Sequence, residues 1–219
     1  MENLQLPKPT RAQFEHMLTI TNFTDTEIDF LNQCDWSNEI IEADEKFGLK
    51  NCIGEQLVVP NYENFMLLSG IPLKIDDKLT AMKNGLCGIL IIDGASGVWY
   101  LEPFYDYIGY PNPIVACKKD NKWGILNSET KTFIIPMVCD YVSDENGFIF
   151  CNGVGFYEIA GKHGVILQNG EHTQAIFDEI KYEINEPIKV RIDQNWGYIN
   201  QHGELTNDSD EAYFMELDY

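Results

Sequence analysis

At 219 residues and 25.1 kDa the chain is long enough for one well-buried domain, or for a small cap joined to a longer array. A hydrophobic content of 44% supports a folded core, and fifteen Lys and Arg against 35 Asp and Glu give a net charge of −20, which argues against nucleic-acid binding through phosphate neutralisation. Any charged partner is therefore expected to be basic. The opening residues lack a basic stretch followed by an apolar one, and no run of 18 apolar residues occurs, so the expected location is the cytoplasm with no membrane contact.

Residues 1–46 differ in texture from the remainder of the chain. Ala12, Phe14, Met17 and Leu18, then Ile28, Phe30 and Leu31, recur at spacings of three and four, and Thr24 to Glu27 has the form of a helix-capping box. Two short helices are predicted, over about residues 11–20 and 25–33, followed by a helical or irregular stretch near residues 36–44. Such a segment reads most economically as a cap on the rest.

From residue 47 the chain breaks into short β-type runs. A residue, mostly aromatic, followed by glycine returns five times: Phe47-Gly48, Cys87-Gly88, Trp123-Gly124, His163-Gly164 and Trp196-Gly197. A second glycine stands six residues later at Gly54, Gly94, Gly170 and Gly203, with Thr130 in the third copy. The first glycines are 40, 36, 40 and 33 residues apart, the period of a supersecondary unit that buries a core with its neighbours. Asn169-Gly170 and Asp93-Gly94 predict two-residue hairpin turns. The returning strand is expected to end at Pro60, Pro103 and Pro136, and further strands are expected over residues 114–117, 148–151 and 188–192, about three per unit.

One segment concentrates rings. Trp99, Tyr100, Tyr105, Asp106, Tyr107 and Tyr110 lie where the second copy carries about three extra residues, which predicts a loop whose rings and acid anchor a protein partner. The plainer alternative is that these rings fill a gap between units. Residues 207–219, with five acids and no cation, form an acidic tail that either adds a closing element or binds.

No catalytic pattern stands out among the cysteines, histidines and carboxylates. The six cysteines form no Cys-x-x-Cys pair and occupy apolar positions, which predicts buried free thiols. His163 takes the aromatic slot of its copy, and His163, His172 and Asp178 make a conceivable but sparse metal set. Asp76-Asp77 and Glu42, Asp44 and Glu45 need no role in so acidic a chain. No catalytic, cofactor or metal residue is assigned.

Lys46-Phe47-Gly48 with Leu57-Val58-Val59-Pro60-Asn61-Tyr62, Lys122-Trp123-Gly124-Ile125 with Ile134-Ile135-Pro136, and Trp196-Gly197-Tyr198-Ile199-Asn200 with Gly203 resemble the WG β-repeat family over residues 47–206. The resemblance implies a β-rich bacterial repeat protein that binds proteins or ligands, with no catalytic residues in the motif. Trp123 and Trp196 are accordingly expected as wedges between units rather than as ligand platforms. The expected fold is mainly β: about five hairpin or three-strand WG-type units over residues 47–206, as an open superhelical sheet or a closed barrel or propeller-like ring, with a helical cap over residues 1–46 and an acidic tail over residues 207–219. The expected function is non-enzymatic protein binding through an acidic, aromatic-rich β surface. Two rivals are an immunity-type or nucleic-acid-mimic inhibitor of a basic toxin or nuclease, and a small carboxylate- or metal-dependent hydrolase.

Overall fold

The computed structural model describes residues 6–20, 25–67, 72–143, 150, 154–182, 187–200 and 202–207. The capping pattern at Thr24, most of the strand predicted over residues 148–151 and the tail beyond residue 207 lie outside them. The chain divides by its contacts into two compact units, residues 1–103 and 104–219.

The first unit opens with α1 (Arg11–Met17) and α2 (Asp25–Leu31), both a little shorter than the periodicity predicts. Thr10 caps α1 reciprocally: its hydroxyl accepts from the Gln13 amide, and the Gln13 side chain accepts from the Thr10 amide at 2.9 Å. Phe14, Cys34 and Trp36 cluster with Cys52, and Phe30 and Ile53 pack against them, so the helical segment is joined to the turn after the second strand. Arg11 pairs with Glu55 across the same contact.

Residues 36–44 differ from expectation. They contain β1 (Glu39–Ala43), paired antiparallel with β2 (Lys46–Lys50). Its sequence Glu-Ile-Ile-Glu-Ala has no period of two, because both faces of this end strand are largely exposed; pairing, not amphipathicity, fixes it.

The described strands form five small antiparallel sheets, each in chain order, and not one closed barrel. The first is β1, β2 and β3 (Gln56–Tyr62). The second is β4 (Asn64–Met66), β5 (Lys78–Lys83), β6 (Leu86–Ile91) and β7 (Val98–Tyr105). In the third are β8 (Tyr107–Ile108), β9 (Ile114–Lys119), β10 (Lys122–Asn127) and β11 (Thr132–Cys139). β12 (Tyr141–Val142), β13 (Val154–Ile159) and β14 (Lys162–Leu167) make the fourth. The fifth holds β15 (Glu179–Lys181), β16 (Lys189–Ile192), β17 (Asn195–Ile199) and β18 (Leu205–Thr206).

The glycine of each aromatic-glycine pair sits where another part of the chain comes unusually close. In the first sheet Phe47 pairs with Tyr62 but Leu49 pairs with Val58, so three residues of β3 pass the single Gly48. A Cβ on Gly48 would lie 2.6 Å from the Pro60 nitrogen and 2.6 Å from the Val58 oxygen. Gly88 meets the Leu101 oxygen and Pro103 nitrogen in the same way, at 2.5 and 2.9 Å. Pro60, Pro103 and Pro136 therefore do not end their strands; they lie inside β3, β7 and β11. At Pro60 and Pro136 the register shifts in a bulge, where the ladder asks for no amide donor.

The turns also differ from the prediction. Gly170 is left-handed (φ 87°), but Asn169 is not among the positive-φ residues. The Gly170 amide donates to Leu167 at 2.9 Å and the Leu167 amide to Glu171 at 2.8 Å, a three-residue connection closed by glycine. Asn51–Glu55 and Asn200–Glu204 repeat it. The two-residue primed turns stand at the other ends of the hairpins, at Asp44-Glu45, Asn84-Gly85, Asp120-Asn121 and Ala160-Gly161, each with both residues at positive φ.

A single acidic residue forms the bend at four points: Glu63 between β3 and β4, Asp106 between β7 and β8, Asp140 between β11 and β12, and Asp178 between the isolated bridge at Phe177 and β15. Each donates its own amide to a carbonyl near a hairpin turn: Met82, Lys118, Glu158 and Arg191, at 2.8 to 2.9 Å. Each carboxylate accepts a turn amide two residues further on, from Asn84, Asp120, Ala160 and Asp193. A lysine completes each set: Lys46, Lys119, Lys122 and Lys162 respectively. Lys46, Lys122 and Lys162 each precede the aromatic-glycine slot by one residue; Leu86 occupies that position in the second sheet, and Lys119 of β9 serves Asp106 instead.

Candidate binding surface

The ring-rich segment predicted as a loop is strand and bend. Val98 to Tyr105 form β7, and Tyr107-Ile108 form β8 after the bend at Asp106. In the first unit, Trp99 is half-buried against the core, its ring 5.6 Å from Tyr62 in an edge arrangement, and Tyr100 lies beneath the Lys78 ammonium at 3.8 Å. In the second unit, Tyr105 is buried at 8% exposure, and burial pushes its phenol above the ordinary range. Tyr107 packs edge-on to Trp123 at 5.5 Å, and Tyr110 is half-buried, its carbonyl accepting from the Asn112 amide at 2.7 Å. Strand alternation explains the split: successive side chains point to opposite faces, so a run of rings cannot all face water.

That alternation exposes a ring of the same segment that lies outside the six residues expected to anchor a partner. Phe104, 52% exposed, stands edge-on to Tyr105, with the Lys119 ammonium 5.4 Å from its centre. Val138 of β11 and Ile176, just before the bend at Asp178, are exposed at the corresponding places. A signal was present: each lies two residues ahead of a bend acid, counted from the carboxylate rather than from the glycine.

The two tryptophans of the Trp-Gly pairs differ from each other. Trp123 is half-buried against the core of the second unit. Trp196 is 42% exposed; the Lys181 ammonium stands 4.5 Å from its ring and the Arg191 guanidinium 5.8 Å. The buried wedge expected at Trp196 is replaced by cover from long cationic side chains, whose stems lie along apolar surface while their heads stay wet.

The titrating groups are engaged in structure. Lys119, Lys122 and Lys162, followed by the turn amides, hold Asp106, Asp140 and Asp178 below the usual carboxylate range; at Glu63 the Gly85 amide is the larger influence and Lys46 comes second. The Ser37 amide and Lys8 bring Asp35 down to about 2. Asp77 moves the other way because it is buried. Cys34, Cys52, Cys87, Cys117 and Cys139 are buried free thiols, and burial pushes Cys52 and Cys139 up to about 11 and Cys117 to about 12. His163 is within 4.0 Å of Glu158, while Asp178 is taken by Lys162 and the Asp193 amide. Among the described residues no three His, Cys, Asp or Glu side chains gather as a metal set. Compared with protein-family models and with curated proteins, the chain matches none.

Proposed function

We propose that the chain is a non-enzymatic protein-binding module: an array of five WG-type β units, capped by α1 and α2, that engages a basic partner protein through the outer faces of its strands. The observation that carries this reading is the exposure of apolar side chains on strands in a chain of net charge −20, with Val98, Phe104, Phe133 and Val138 all open to solvent on β7 and β11. Apolar contact supplies affinity there, while the negative field selects a cationic partner and speeds its approach.

The array is supported by five hairpins that carry the five aromatic-glycine pairs on their second strands and by four equivalent bends. The cap is supported by the packing of Phe14 and Trp36 on Cys52. A binding role also fits where the reactive groups are spent: carboxylates in bends, thiols in the core.

The test is capture from cell extract by the immobilised full chain at low and moderate salt. One stoichiometric basic protein, its recovery falling as salt rises, is expected. No stoichiometric partner at either salt would overturn the reading.

A further inference from the structure

We propose that Phe104, Val138 and Ile176 form a docking row for an extended, cationic and apolar segment of another protein, a proposal that rests on the binding role above and names its contact face. The three share one place in the fold. Each lies two residues before a bend acid, Asp106, Asp140 or Asp178, and each is followed by a buried side chain, Tyr105, Cys139 or Phe177. Because the inward position is filled, the preceding residue must point out, and Phe104, Val138 and Ile176 are exposed at 52%, 46% and 42%.

Nothing in the fold requires an apolar side chain at this place. The equivalent residue before Glu63 is Asn61, polar and half-buried, so the row is confined to the unit of residues 104–219. Single exposed hydrophobic residues are ordinary, but three at one register position are a pattern that folding does not supply.

Charge names the occupant. Residues 104–219 carry eight Lys and Arg against nineteen Asp and Glu, a net charge of −11. Lys119, which also stands over the Phe104 ring, and Lys122 and Lys162 are already held by the bend acids. A unit of that net charge suits a cationic apolar segment and repels an anionic membrane surface or nucleic acid.

The test uses the full chain and fluorescein-labelled dodecapeptides of alternating Lys and Leu, or alternating Lys and Ser, read by fluorescence anisotropy. The triple variant Phe104→Ser, Val138→Ser, Ile176→Ser alters exposed side chains only, and a second triple with Leu at all three positions keeps the row apolar. The Lys-Leu peptide is expected to bind the original chain and the Leu variant, and to bind the Ser variant about tenfold or more weakly. The Lys-Ser peptide is expected to bind weakly and to treat all three alike. Equal Lys-Leu affinity for the original chain and the Ser variant, no preference over Lys-Ser, or no binding would overturn the row. So would row-dependent binding to vesicles of anionic phospholipid. Capture of one stoichiometric basic protein that persists in the Ser variant would overturn the row and leave the binding role standing. Discrimination of the peptides with no captured protein would uphold the row and sink the wider role.

Discussion

Gly48 and Gly54 are both glycine, for different physical reasons, and substitution separates them. At Gly48 an added Cβ meets main-chain atoms of Pro60 and Val58 that cannot swing away, so Gly48→Ala is expected to cost about 1–3 kcal/mol in urea unfolding, and Gly48→Asn no less. Gly54 has φ 85° and nothing within 4 Å of an added Cβ; Gly54→Ala is expected to cost about 1–2 kcal/mol, with Asn recovering most of it because Asn tolerates the left-handed region. The thiols give a second residue-scale test. In a Cys151→Ser background, Cys34, Cys52, Cys87, Cys117 and Cys139 are expected to resist a thiol reagent at mildly alkaline pH until the chain is unfolded; labelling of any of them in the folded chain would count against their burial. Burial of the five described cysteines is legible in the sequence, since it follows from their apolar positions and the lack of any Cys-x-x-Cys pair. The exposure of Trp196 is not, because it depends on Lys181 and Arg191 beside it.

At the scale of elements, the four bend acids each tie a strand end to a hairpin turn, and they make stability depend on pH. Asp106, Asp140, Asp178 and Glu63 titrate lower in the folded chain than their ordinary values near 4, so the unfolded chain takes up protons first as pH falls. Their stabilisation is fully present above the ordinary carboxylate range and is lost as pH falls through the folded values; for Asp35 that loss runs down to about 2. Asp140→Asn keeps an acceptor for the Ala160 amide but loses its pairing with Lys122. It is expected to be less stable than the original chain at neutral pH and to converge with it as pH falls through the lowered folded value of Asp140; a gap that stayed constant with pH would rule out the ionised carboxylate as its cause. Helices α1 and α2 and most of the hairpins can be read from hydrophobic period and punctuation. The strand β1 cannot, lacking a period, and the tight turns fall at the opposite hairpin ends from those predicted, although Asn84-Gly85 carries the same Asn-Gly signal as Asn169-Gly170. The rings of residues 99–110 read as a loop when length alone is counted; the outward position of Phe104 emerges only once the strand and its bend are known.

For the whole molecule, the net charge of −20 sets two opposed effects of salt on stability. Salt weakens the bend ion pairs, but pairs this exposed contribute little, whereas self-repulsion acts over the whole surface. Repulsion outweighs the pairs, so the thermal midpoint at neutral pH is expected to rise between low and moderate salt; a fall would show that the pairs dominate. The bends carry a further consequence, for the way such a chain tolerates genetic change. Glu63, Asp106, Asp140 and Asp178 hold their turns through main-chain amides, which every residue except proline possesses. These contacts ask nothing of the turn side chains, as the assortment Asn84, Asp120, Ala160 and Asp193 illustrates, although the positive φ at each still favours Gly, Asn and Asp. In a saturation-mutagenesis library selected for folding, position 160, held at φ 52°, should favour Gly, Asn and Asp and reject proline and β-branched residues, and position 140 should favour an acid over Asn and Asn over apolar residues.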